Sequence, residues 1–270
     1  MTPFSFHAGK LPLLISIPHA GTEVPDVIRD RMSRVGRDLP DTDWYVDQLY
    51  EFAIRMGASV IKANYSRYVV DLNRSPDSSP LYEANPTSPV CAVRTFGGEE
   101  IYLTGKAPTA AEAVARVQQY WRPYHNRLRE ELLRIRSQHG FAALWDAHSI
   151  ASEVPGLFAG VLPEFNLGTR NDSACPAQIG TALLRAVEDD GRYSAVLNGR
   201  FTGGYITLNY GQPSERICAV QLELAQRAYM NEGPVLEPFD ASRASTARDL
   251  IESLLGTYVA SARAGFGADG

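Results

Sequence analysis

The sequence predicts an α/β protein: a single domain over residues 1–270, with a central mixed, mostly parallel sheet and helices on both faces. Three observations predict it. Short apolar runs of strand type alternate with helical stripes along the whole length. No internal repeat or low-complexity linker interrupts the alternation. A length of 270 residues is enough for one large core. In sheets of this kind ligands sit beyond the carboxyl ends of the strands, so functional residues are expected where strands finish.

Each element has its own signal. Leu11–Ile17 is a continuous apolar run, as a central strand covered on both faces requires. Asp43–Met56 reads as a helix, with Asp41 and Thr42 as caps and Gly57 at its end. Ala58–Lys62 and Arg67–Leu72 read as the next strands. From Ala110 to Gln138, Val114, Val117, Trp121, Tyr124, Leu128, Leu132 and Ile135 form a stripe spaced three or four residues apart, which Gly140 ends. Pro123 is expected to kink or split that helix, because it lacks an N–H and crowds the preceding turn. Phe141–Trp145 is a buried strand, Pro176–Glu188 a helix, Tyr193–Leu197 extended, and Ile217–Leu224 a strand. A last amphipathic helix spans about Ser245–Ala262, and residues 261–270 read as a frayed tail.

Charge and cysteine content exclude several functions. The chain has 26 Lys+Arg against 31 Asp+Glu, a formal charge of −5, which lacks the basic excess that nucleic-acid binding needs. Cys91, Cys175 and Cys218 are odd in number and show no CxxC spacing. They read as reduced thiols of a cytoplasmic protein, not as a disulfide framework or thiolate metal site. Leu11–Ile17 is too short to span a bilayer, and no secretory signal pattern is present. The expectation is a soluble cytoplasmic protein with no membrane or nucleic-acid partner; composition leaves the oligomeric state open.

Five polar segments stand where a core would choose otherwise: 16–23, 41–44, 71–74, 146–149 and 221–224. His19 and His148 each follow an apolar run. A lone histidine there is ordinarily structural. Two together suit a catalytic zinc, which commonly takes two His and one carboxylate and leaves a position for water. Asp146 can accept a hydrogen bond from the non-ligating nitrogen of His148 and fix its tautomer. For the third ligand Asp43 is preferred, with helix capping as its ordinary alternative and Glu23 as its rival. Glu223 shares a strand face with Ala219 and Gln221. A Glu there is costly unless paired, solvated or used, and beside an activated water it suits a general base that then protonates a leaving amine. Arg74 offers a planar fork for a substrate carboxylate, Asn73 adds orienting groups, and Arg200 in a glycine-rich loop is a second anion contact. Arg67 reads as a surface or ion-pair residue, and His7, His125 and His139 as structural.

Taken together, Pro18-His19-Ala20-Gly21-Thr22-Glu23, Asp41-Thr42-Asp43-Trp44, Ser66 to Arg74, Tyr120 to His125, Leu144 to Ser149, Asn198 to Phe201 and Gln221 to Leu224 resemble the N-formylglutamate amidohydrolase (deformylase) family, in the family's order, from about Leu13 to Glu232. The resemblance implies a fold similar to zinc-dependent exopeptidases (phosphorylase/hydrolase-like), desuccinylases and aspartoacylases. It places His19 and His148 on a divalent metal, most simply Zn2+, Asn73 and Arg74 on the substrate carboxylate, and Glu223 as base. It implies metal-dependent hydrolysis of N-formyl-L-glutamate to glutamate and formate, a late step of histidine degradation. Two positions depart from the family pattern, which often carries Arg where this chain has Gly156 and Arg-His where it has Leu208-Asn209. Both departures remove positive charge expected to read a dicarboxylate, so another N-acyl amino acid is the alternative substrate. A carboxypeptidase-like enzyme and a non-catalytic binding protein on the same fold are the further alternatives.

Overall fold

The computed structural model describes residues 2–79, 89–232 and 239–267. Its strands are β1 (Phe4–His7), β2 (Leu13–Ile17), β3 (Ser59–Ala63), β4 (Ala142–Ile150), β5 (Phe165–Gly168), β6 (Ala195–Leu197) and β7 (Ile217–Ala225). Its α-helices are α1 (Asp26–Arg29), α2 (Arg34–Asp38), α3 (Val46–Leu49), α4 (Phe52–Met56), α5 (Ala110–Arg116), α6 (Arg122–His139), α7 (Ala177–Asp190), α8 (Tyr205–Tyr210) and α9 (Ala241–Gly267). They form one seven-stranded sheet in the order β1-β3-β2-β4-β7-β5-β6. The central β3, β2, β4 and β7 run parallel. β1 joins β3 antiparallel at one edge, and β5 joins β7 antiparallel with β6 parallel beyond it.

Period-two alternation sorts the strand residues onto two packed faces. Ile15, Trp145, Val220 and Leu222 pack on one face with α7 (Ala177–Asp190) and α9 (Ala241–Gly267), through Ile179, Leu183, Leu254 and Tyr258. Leu14, Ile61, Leu144 and Ala219 pack on the other with α6 (Arg122–His139), through Tyr124, Leu128, Leu132 and Ile135. α6 ends at Gly140, whose φ of 80° is open to glycine without a Cβ penalty.

Several sequence expectations are corrected. Asp43–Met56 is not one helix. Tyr45 takes a left-handed φ of 61°, so helix begins only at Val46, and Val46–Leu49 and Phe52–Met56 are separate short helices. Arg67–Leu72 is not a strand but a run of turn and irregular backbone. Its carbonyls find other donors: the buried Arg116 Nη1 donates to Val69 O at 3.1 Å and, more weakly, to Tyr68 O at 3.4 Å. The Ala110–Gln138 helix does break near Pro123, as expected, into Ala110–Arg116 and α6, joined by a π-helical turn at Val117–Trp121. Pro123 sits in the first turn of α6, and widening the preceding turn relieves the clash that its ring would make there. β4 runs on past Trp145 to Ile150, so Asp146 and His148 lie within a strand. β1 and β5 were not foreseen; each has four residues. Residues 261–267 are not frayed: they belong to α9, with Ala262 and Phe266 buried and Phe266 6.0 Å from the Phe141 ring. Residues 268–270 lie outside the described ones. Among the described residues no helix is long and apolar enough to cross a membrane.

Candidate active site

The α6 side of the sheet changes character along its strands. On β2, β4 and β7 the sequence on that face runs Leu14 then Ser16, Leu144 then Asp146 then His148, and Ala219 then Gln221 then Glu223. The parallel register sets these polar residues side by side: Ser16 against Asp146, Asp146 against Gln221, and His148 against Glu223. Thus the hydrophobic floor of the face passes into a polar row at the carboxyl ends of the strands. His19 follows β2 directly, and the Asp43 N–H donates to the His19 carbonyl at 3.2 Å, which fastens the 41–44 turn beside it.

Three side chains converge there. His19, Asp43 and His148 are each at most 4% exposed, and their ligand-type atoms lie within 4.8 Å of one another. Asp43 Oδ2 faces His148 Nδ1 at 3.0 Å and His19 Nδ1 at 3.8 Å. The outward nitrogens are each held by a further carboxylate: His148 Nε2 by Asp146 at 2.9 Å and His19 Nε2 by Asp71 at 2.8 Å. Asp146 is itself fixed, accepting from Ser16 Oγ at 3.0 Å, and Ser16 bonds to Tyr124 Oη. His19 Nδ1, though buried, has no hydrogen-bond partner. An orphaned lone pair aimed at a carboxylate and a second imidazole, with carboxylates behind both rings, is a donor set that fits a metal ion. Glu23 lies exposed, outside the group.

Asp43 is no helix cap. Besides facing the two imidazoles, it accepts from the Ser149 N–H at 3.2 Å and stands 3.7 Å from Arg67 Nη1. Arg67 is buried, not at the surface; Nη2 donates to Asp71 Oδ2 at 2.7 Å, and its guanidinium lies over the Phe96 ring. Asn73 is buried beside His148, with Oδ1 accepting from the Ile206 N–H at 2.8 Å and Nδ2 near Gln221 Oε1 at 3.5 Å. Arg74 is half-buried, and Arg200 is exposed with Nη2 donating to Leu157 O at 2.9 Å. A cavity of about 130 Å³, lined by Asp41, Thr42, Phe96, Ser149, Val154 and Gln226 among others, opens beside the 41–44 turn.

Electrostatics follow from burial and pairing. Burial raises the Glu223 carboxyl to about 8, with His148 opposing and Asp43 adding to the rise. Burial disfavours charge on His148, yet Asp146 and Asp43 hold that imidazole well above its ordinary value. Burial, with Arg67 nearby, lowers His19 instead. Burial also works against charge on Asp71, but Arg67 and His19 keep it ionised well below the usual carboxylate range.

The 68–74 segment is gripped from the helix side. Trp121 Nε1 donates to Arg74 O at 3.1 Å, and His125 Nε2 donates to Leu72 O at 2.9 Å. His125 Nδ1 meets Tyr210 Oη at 2.9 Å. Burial depresses His125 to about 3 against an ordinary 6.5. The folded ring is therefore neutral while the unfolded ring protonates, so its contribution is complete above pH 6.5 and lost as pH falls toward 3. Between those limits the chain is expected to lose about 1.4 kcal/mol per pH unit more than a His125→Gln variant does. Urea midpoints at pH 7, 5.5 and 4.5 check this, and parallel curves for the two proteins refute it.

The sequence alone gives no role to Asp71 or Gln221, and of its two readings of Arg67, surface residue or ion-pair residue, the structure shows the ion pair. The signal for Asp71 was available: an Asp two residues before an Asn-Arg pair, as Asp146 stands two before His148.

A buried two-His, one-carboxylate cluster at the carboxyl ends of a mixed, mostly parallel sheet defines the class: an α/β protein with a buried site able to hold a metal ion. Comparison with known proteins narrows the class. The family model for N-formylglutamate amidohydrolase matches residues 11–230. The chain is 52% identical over 235 residues to N-formylglutamate deformylase of Pseudomonas putida, covering 87% of this chain and 86% of that protein. It is 46% identical over 254 residues to the N-formylglutamate deformylase of Pseudomonas aeruginosa, covering 93% and 95%. Among solved structures, the N-formylglutamate amidohydrolase of Ralstonia eutropha JMP134 superposes with a TM-score of 0.81 at 25% identity, covering 98% of this chain and all of that one. A gene product of Agrobacterium tumefaciens shares the fold, with a TM-score of 0.72 at 20% identity over 97% and 96% of the two chains. The chain belongs to the N-formylglutamate amidohydrolase family.

Proposed function

We propose that the chain hydrolyses N-formyl-L-glutamate to L-glutamate and formate in the cytoplasm, with a divalent metal, most simply zinc, held by His19, Asp43 and His148. The observation that carries the metal is the partnerless, buried His19 Nδ1 turned toward Asp43 and His148, whose own facing atoms are 3.0 Å apart. The substrate is supported by the two deformylases that share about half their residues with this chain. When bound, such a cation acidifies water and draws charge from an amide oxygen.

The chain's own residues do the rest. Asp71 and Asp146 hold the Nε2–H of each imidazole, leaving Nδ1 free to ligate. Glu223, level with His148 in the sheet, takes a proton from the attacking water and passes it to the departing amine nitrogen. Its burial favours the neutral carboxyl, and a cation nearby lowers that barrier to ionisation. Arg74, with Asn73 beside it, binds the α-carboxylate, and Arg200, exposed on its loop, meets the distal one.

A second reading, another N-acyl amino acid as substrate, is favoured by Gly156 and Leu208-Asn209. A Cβ at Gly156 would stand 2.6 Å from the Phe96 carbonyl, so an Arg cannot enter there unless the 96–97 backbone moves. Formate and amine release from N-formyl, N-acetyl and N-succinyl amino acids, on zinc-loaded and chelated protein, tests both. N-formyl-L-glutamate is expected to be turned over fastest, with activity lost on chelation and restored by zinc. Faster turnover of neutral N-formyl amino acids would establish the second reading. Calorimetric binding without any formate would establish a binding protein.

A further inference from the structure

We infer that Gln221 is a positioning residue: its side-chain amide aims the Glu223 carboxylate and ties it to the turn at Gly203-Gly204. The inference rests on the reading of Glu223 as base. Gln221 and Glu223 are two residues apart on the same face of β7, and Gln221 is only 4% exposed. A buried amide is costly unless its groups are bonded, and here both ends are. Its Oε1 accepts from the Gly204 N–H at 2.7 Å, and its Nε2 donates to Glu223 Oε2 at 3.2 Å.

The orientation of the amide is fixed by its partners. A backbone N–H can only donate, so the oxygen must face Gly204 and the NH2 must face Glu223. Gly204 can approach this closely because it has no side chain: a Cβ there would stand 2.2 Å from Asn73 Nδ2. The donor is also of the right kind. An Arg or Lys in its place would hold Glu223 as a stable ion pair and weaken it as a base, whereas a neutral amide orients the carboxylate with far less electrostatic effect.

Gln221→Met keeps the length of the side chain and removes the hydrogen bonds to Gly204 and Glu223, together with the 3.5 Å contact to Asn73 Nδ2. It is expected to lower kcat about 100-fold, the loss that an ångström of misplacement can cause, with KM changed less than about threefold, the metal-to-protein ratio retained and Tm held within a few degrees. Gln221→Glu keeps an acceptor for the Gly204 N–H but removes the donor to Glu223, and is expected to lose at least as much kcat. Its use keeps the test open should the Met variant fold poorly. A Gln221→Met kcat within threefold of the parent, alongside an inactive Glu223→Gln, overturns the inference and leaves the base intact. Loss of metal together with matched changes in kcat and KM in both variants would mark Gln221 as merely structural and also overturns it. An active Glu223→Gln would instead remove the base itself.

Discussion

Glu223→Gln is expected to lose about 10³-fold in kcat, within the range that one positioned general base contributes, while binding metal as the parent does. The substitution is nearly isosteric, so the register of β4 and β7 and the packing beneath it have no reason to change. What disappears is the group that takes and returns a proton. Because Glu223 lies outside the three-residue cluster, elemental analysis should find the parental metal content. A variant retaining even a tenth of parental turnover would rule Glu223 out as the base.

The second large effect is expected for His148→Ala, which should reduce bound metal to a small fraction of one per chain and remove activity with it. His148 is joined to two carboxylates, Asp43 through Nδ1 and Asp146 through Nε2. Removing the ring deletes a ligand and leaves both buried acids short of a partner, a loss of several kcal/mol for groups of this kind. Stability should therefore fall as well, and circular dichroism must show that the variant is folded before its metal content is read. An unchanged metal-to-protein ratio in folded His148→Ala would refute the ligand assignment.

Much of this was legible in the sequence because apolar runs that stop abruptly at His, Asp or Glu are visible without coordinates. His19, His148 and Glu223 announce themselves that way, and the alternation of 217–224 sets Gln221 and Glu223 on one face. Asp43 was only half legible, since an acid before an apolar stretch also looks like a cap. The left-handed Tyr45 that separates it from the helix leaves no mark in composition. Arg67–Leu72 was misread because Tyr68-Val69-Val70 has strand-like residues. The partner of the Val69 carbonyl is a guanidinium from 47 positions later. With that strand misread, the pairing of Arg67 with Asp71, and of Asp71 with His19, could not be seen. Gln221 was hidden for a similar reason: its meaning lies in a backbone N–H on another segment.

The π-helical turn at Val117–Trp121 acts as a phase corrector. Arg116 before it, Trp121 at its end and His125 after it all reach the same stretch of backbone, 69–74. Five residues of regular α-helix separate Arg116 from Trp121, which at 3.6 residues per turn would point the two side chains about 140° apart. The wider turn takes up part of that rotation, so one continuous rod can grasp a single loop at successive points. The chain length between residues 116 and 125 is thus a gear ratio. It sets the angular position of the loop that carries Asp71, Asn73 and Arg74, and with it the backing of His19 and the spacing of the groups that meet the substrate.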